Sequence, residues 1–102
     1  MQKLLTDNMD KIEALCKSHN VKELYAFGSV CTNYFTEKSD VDLLVSFNAM
    51  EYGDYADTYF DLADRFELVF QRPVDLVTEK SLKNPYFIES VNKTKTLIYE
   101  KQ

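Results

Sequence analysis

The chain has 102 residues, 45% of them hydrophobic, with seven tyrosines and seven phenylalanines: enough for one apolar core and too short for two. Its net charge of −5 argues against a duplex-binding protein, because phosphate backbones are held mainly by Lys and Arg. No apolar run approaches the roughly 20 residues that span a bilayer, the N-terminal MQKLLTDNMDK has no signal-peptide core, and Cys16 and Cys31 show no CxxC pattern. The expectation is one domain over residues 1–102, cytoplasmic, with reduced thiols and no membrane contact.

Charge is unevenly spread. Residues 1–70 carry 6 basic and 13 acidic side chains, against 6 and 4 in residues 71–102. The C-terminal third is therefore positively biased, which suits either a solvated surface or an anionic ligand.

In chain order, Leu4, Leu5, Met9, Ile12, Leu15 and Cys16 recur at helical spacing, and His19-Asn20 is a plausible stop. Val21 to Phe27 reads as a short strand that breaks at Gly28, one of only two glycines. SVCTNYFTEKS is polar and reads as a short helix or loop. DVDLLVSF has the composition of a strand. Residues 52–70 give the clearest helix: Tyr52, Tyr55, Tyr59, Leu62, Ala63, Phe66 and Phe70 share one side, and Asp54, Asp57, Asp61 and Asp64 the other. At this spacing the tyrosines are more often core than a stacking surface. PVDLVT is a third strand with Pro73 at its start. Asn84-Pro85 has the form of a helix start, and TLIYE that of a closing strand. The fold class is α/β (α+β), a small mixed sheet of about four strands with helices packed on it.

Side chains alternate along a strand, so Asp40 and Asp42 project on one side and Val41 and Leu43 on the other. Half-burying two such carboxylates costs on the order of several kcal/mol per ion unless something positive stands between them. A hard cation such as Mg²⁺ removes the conflict, because it takes oxygen ligands. Taken alone, Asp-x-Asp is common by chance, and two exposed aspartates at a strand start are the simpler reading. An EF-hand is excluded, because Leu43, Leu44 and Val45 follow Asp42. Asp75 lies in a second apolar run; if its strand is adjacent, it adds a third carboxylate to the same face. Three carboxylates so placed suit two divalent ions about 4 Å apart, the geometry of nucleotidyl transfer. Gly28-Ser29 allows close backbone approach, and the amides and hydroxyl that follow can donate to phosphate oxygens.

Gly28-Ser29, ten residues, then Asp40-Val41-Asp42 and an apolar run resembles the signature of the polymerase-beta-type nucleotidyltransferase superfamily, from about Val21 to Tyr99. With Asp75 and the short chain, it is most similar to the minimal nucleotidyltransferase domains of prokaryotes. The resemblance implies that Asp40, Asp42 and Asp75 are catalytic and bind two Mg²⁺ ions. It implies that Gly28 and Ser29 hold the triphosphate of a nucleotide substrate such as ATP. The implied reaction is attack of an acceptor hydroxyl on the α-phosphate, with release of pyrophosphate.

One departure is the absence of the arginine that relatives often carry shortly after the serine; Lys38 or Lys80 could replace its charge. Asn33 could replace a glycine that relatives carry there, where the backbone turns left-handed. Minimal domains of this kind are paired with small HEPN-class toxins, which they modify on a tyrosine with AMP as antitoxins; that is the leading reading, by resemblance. The alternatives are an antibiotic-type small-molecule nucleotidyltransferase and a catalytically silent partner-binding scaffold. A nucleic-acid end-modifying enzyme is disfavoured by the charge. His19, at a predicted helix end, and the thiols are not expected to act.

Overall fold

Four strands form one mixed sheet in the order β3-β2-β1-β4, with helices on both faces. In the computed structural model, which describes residues 2–101, the strands are β1 (Val21–Phe27), β2 (Val41–Phe47), β3 (Val74–Thr78) and β4 (Thr96–Glu100). The helices are α1 (Lys3–Thr6), α2 (Met9–Ser18), α3 (Tyr52–Phe70) and α4 (Pro85–Thr94), with 3₁₀ turns at Gly28–Cys31 and Glu79–Ser81. β1 is antiparallel to β2 and β4, whereas β2 and β3 are parallel and joined through α3. None of the described helices is long and apolar enough to cross a membrane.

Alternation on β2 sorts the two faces. Val41, Leu43 and Val45 are fully buried against α2 and α3, where Ile12, Cys16, Leu62, Phe66 and Phe70 complete the main core. Leu44 points the other way and joins Phe27 and Val91 in a smaller cluster beneath α4. In the main core, burial pushes the Cys16 thiol up to about 12, so it is inert.

The ends of the helices follow local chemistry. Asn84 caps α4 by accepting from the Tyr86 and Phe87 amides at 2.9 and 3.3 Å, ahead of Pro85 in the first turn. Asn20 is left-handed at φ 57° after the end of α2, and Gln71 takes the same angle after α3. The expected single N-terminal helix is instead two. Asn8, at φ −113° and ψ 11°, breaks the spiral, and its side chain donates to the Leu4 carbonyl at 2.8 Å, competing with the helical ladder.

On α3, Leu62, Phe66 and Phe70 are buried and Tyr55 and Tyr59 half-buried, while Asp54, Asp57, Asp61 and Asp64 are exposed, as the periodicity requires. The side chain of Tyr52 lies outside the described residues. Two α3 side chains reach the outer edge of β3: the Tyr59 hydroxyl donates to the Leu76 carbonyl at 2.5 Å, and Glu67 accepts from the Val74 amide at 2.9 Å.

Candidate active site

The parallel register of β2 and β3 places Asp42 directly opposite Asp75. At the spacing of neighbouring strands their backbones are about 4.8 Å apart. Both side chains project to the α4 face, by the same alternation that buries Leu43 and Leu76 on the other. Asp40 precedes the first residue of β2, so its backbone belongs to the loop rather than to the strand. Among the described residues none of the three aspartates has a basic partner; the ion pairs found there are Arg65–Asp61 within α3 and His19–Asp61 from the end of α2 to α3. The electrostatic consequence falls on Asp42. Partial burial first, then Asp75 and Asp40, pushes its carboxyl up to about 6 from the usual 3.8. Negative charge is concentrated here, and among the described residues no basic side chain pairs with it.

Gly28 ends β1, on the strand beside Asp42, where Phe27 is the pairing partner of Asp42. Its φ is +74°, and a Cβ would stand 2.6 Å from Asp42 Oδ2. The glycine therefore serves the carboxylate directly: a side chain would displace it. The Gly28 amide is also engaged, donating to the Thr94 hydroxyl at 2.7 Å. The donors left for an anion are the amide and hydroxyl of Ser29, whose amide lies in the first turn of the 3₁₀ segment and so lacks an intrahelical acceptor. Thr94, at the end of α4, has no signal in the sequence, because its role runs through one hydroxyl to a distant backbone amide.

Two expectations fail. Asn33 is not left-handed: among the described residues the positive-φ positions are Asn20, Gly28 and Gln71. The chain leaves the 3₁₀ turn in extended form at Thr32, φ −130° and ψ 169°, and needs no glycine at Asn33. Lys80 cannot reach a triphosphate at Gly28, because it lies beside Ser46 to Met50, past the far end of β2, with its ammonium 6.0 Å from the Tyr55 ring centre. Lys38 is exposed on the loop before Asp40. Beside Asp75, a hollow of about 480 Å³ opens between β3 and α3, lined by Tyr55, Tyr59 and Phe60 among others. Tyr59 is held above its usual pKa by burial and then by Asp75.

The family model "Polymerase beta, Nucleotidyltransferase" matches residues 10–102. The chain belongs to this nucleotidyltransferase family. It is 36% identical over 81 residues to "Putative protein adenylyltransferase MJ1379" of Methanocaldococcus jannaschii, covering 79% of this chain and 78% of that one. A solved structure described as a minimal nucleotidyltransferase superposes with a TM-score of 0.71 at 30% identity, covering 90% of each chain. The MNT antitoxin in complex with a tri-AMPylated HEPN toxin of Shewanella oneidensis shares the fold, with a TM-score of 0.65 at 20% identity over 96% of this chain and 74% of that one.

A nucleotidyltransferase of this type implies divalent cations, and the donor set can be tested for them. Among the described residues no three Asp, Glu, His or Cys side chains converge into a ready-made metal cage. Mg²⁺ does not require one, since it keeps several waters and binds through one or two carboxylates plus substrate phosphates. Carboxylate oxygens from Asp42 and Asp75, in register and without a cation of their own, fit that demand. Asp40 stands within electrostatic reach of Asp42 as a further ligand.

Proposed function

We propose that this nucleotidyltransferase uses Mg²⁺ to transfer AMP from ATP to a tyrosine hydroxyl of a HEPN-type partner, as the antitoxin of a toxin–antitoxin pair. Residues 1–102 would act as one domain. The observation that carries this reading is the pairing of Asp42 with Asp75 on one side and with Phe27, next to Gly28, on the other, across three adjacent strands. The name of the archaeal relative and the AMPylated toxin held by the structural neighbour support the choice of adenylate and of a protein acceptor.

In this reading Asp40, Asp42 and Asp75 hold two Mg²⁺ ions, which when bound supply charge neutralisation at the phosphates and activation of the attacking oxygen. Ser29 holds the triphosphate tail through its hydroxyl and amide. Gly28 keeps the space that the Asp42 carboxylate occupies. The acceptor oxygen forms a bond to the α-phosphorus, the bond to the bridging oxygen breaks, and pyrophosphate leaves. Asp75, exposed at the strand edge, favours loss of the hydroxyl proton.

Intact-protein mass spectrometry tests it. The protein, ATP, Mg²⁺ and a HEPN-type partner should give mass increases on the partner in steps of one AMP. Asp75→Asn should eliminate them while nucleotide binding largely persists. Orientation of a second substrate carries up to roughly 7–11 kcal/mol of a rate, so turnover without the partner should be very slow. Rapid modification of a small-molecule alcohol by the protein alone would overturn the reading in favour of an antibiotic-type enzyme.

A further inference from the structure

Asp40 is exposed and sits on the nine-residue segment 32–40 between the 3₁₀ turn and β2, where a loop would leave a ligand loosely held. Its backbone is nevertheless gripped on both sides. The carbonyl of Ser39, just before it, accepts from Arg72 Nη1 at 2.9 Å, and the amide of Val41, just after it, donates to the Pro73 carbonyl at 3.1 Å. The same Nη1 donates to the Thr36 carbonyl at 3.0 Å, and the guanidinium lies 4.7 Å from the centre of the Phe35 ring. Thr36 and Ser39 close a turn on each other, with the Ser39 amide donating to the Thr36 carbonyl at 3.0 Å.

Arg72 forms these contacts at a cost. Its Nε is buried and has no hydrogen-bond partner among the described residues, and it has no carboxylate partner there. A buried donor left unpaired is expensive, on the order of the desolvation of a polar group. A lysine in this position would bring a strongly hydrated point charge without the planar group that lies over Phe35. The planar charged group thus stands over the loop it holds, and it holds the residue adjoining Asp40.

We propose that Arg72 is a positioning residue for Asp40: it fixes the loop so that the Asp40 carboxylate stands ready beside Asp42 before any cation arrives. The inference rests on the metal-binding reading above and adds to it a residue outside the Gly-Ser and Asp-x-Asp motifs. Removal of a group that orients a metal ligand typically weakens metal binding about 10–100-fold.

The test is Mn²⁺ titration followed by electron paramagnetic resonance, on wild type, Arg72→Met, Arg72→Lys, Asp40→Asn and the Asp40→Asn/Arg72→Met double variant. Amide hydrogen exchange at residues 36–41 is measured in parallel without metal. Arg72→Met should weaken Mn²⁺ binding about tenfold or more and speed exchange of the Val41 amide. Arg72→Lys should fall between the two. In the Asp40→Asn background the Arg72 change should add almost nothing to the metal affinity, since its effect passes through Asp40. A folded Arg72→Met or Arg72→Lys protein with wild-type Mn²⁺ affinity overturns the proposal. So does a loss of the same size in the Asp40→Asn background, which would mark a general structural role. If wild type binds no Mn²⁺ either alone or with a non-hydrolysable ATP analogue, the metal reading fails, and unchanged exchange at Val41 in Arg72→Met would separately overturn the clamp.

Discussion

The two faces of the sheet use the same seven residues of β2 for opposite ends. Toward α2 and α3 it presents Val41, Leu43 and Val45, all fully buried in the main core. Toward α4 it presents Asp42, Leu44 and Ser46; there Leu44 adds to a small apolar cluster, while partial burial raises the Asp42 carboxyl to about 6. The lesson is that stability and the proposed chemistry are interleaved at single-residue intervals, yet separable. A substitution on one face should move melting temperature, and its neighbour on the other should move metal binding.

The largest effect should come from the core face. Leu43→Ala removes a fully buried side chain at the centre of the sheet and should cost about 2–5 kcal/mol. For a domain of this size that is a fall in Tm of about 10–20 °C, with transfer per folded molecule retained. A thermal melt with an active-fraction correction measures both.

Next is Gly28→Ala, at the boundary between faces. Its φ of +74° costs about 1–2 kcal/mol in a residue with a Cβ, and the Asp42 carboxylate must move away from the new methyl. Mn²⁺ binding should weaken beyond what the melt accounts for. A variant with wild-type Mn²⁺ affinity would show that the glycine serves the backbone turn alone.

Thr94→Val takes the acceptor from the Gly28 amide and should cost about 1 kcal/mol, with a raised KM for ATP. Thr94→Ser should restore both, and identical kinetics in the valine variant would remove Thr94 from the site.

The smallest effect has the opposite sign. The folded-state carboxyl of Asp42, near 6, lies above its ordinary 3.8, so the metal-free fold favours the protonated form. The stability this contributes is complete below about pH 4 and is lost as pH rises through 6. Asp42→Asn should therefore raise Tm at pH 7.5 by the equivalent of about 1 kcal/mol, after allowance for solvent screening, and leave it unchanged near pH 4. The same variant should lose transfer. A lower Tm at pH 7.5 would make Asp42 a structural residue.

What the sequence disclosed follows from which interactions are local. The strands at 21–27 and 96–100 and the helix at 52–70 lie where composition and periodicity place them, because a half-buried element writes its face into its own residues. The break at Asn8 was hidden, since Leu4, Leu5, Met9 and Ile12 stay in phase across it and the interruption comes from one side-chain amide. At the site, the fixed spacing from Gly28 to Asp42 was legible. The register of Asp75 against Asp42 was only conditional, because strand pairing depends on contacts far apart in the chain. Thr94 and Arg72 left no mark at all. Each acts through a backbone group more than 30 residues away, and a threonine or an arginine at those positions is unremarkable in sequence.

The outer edge of β3 has a bearing on how the molecule behaves among its own copies. Tyr59 occupies the Leu76 carbonyl and Glu67 occupies the Val74 amide. An unpaired strand edge is a template for intermolecular pairing, and side chains that consume its donors and acceptors blunt it. Asp75 thus lies on a strand whose rim is partly capped by α3 side chains. Two of the groups through which a further strand would pair are thereby taken, which lowers the tendency of copies of the chain to associate through this edge.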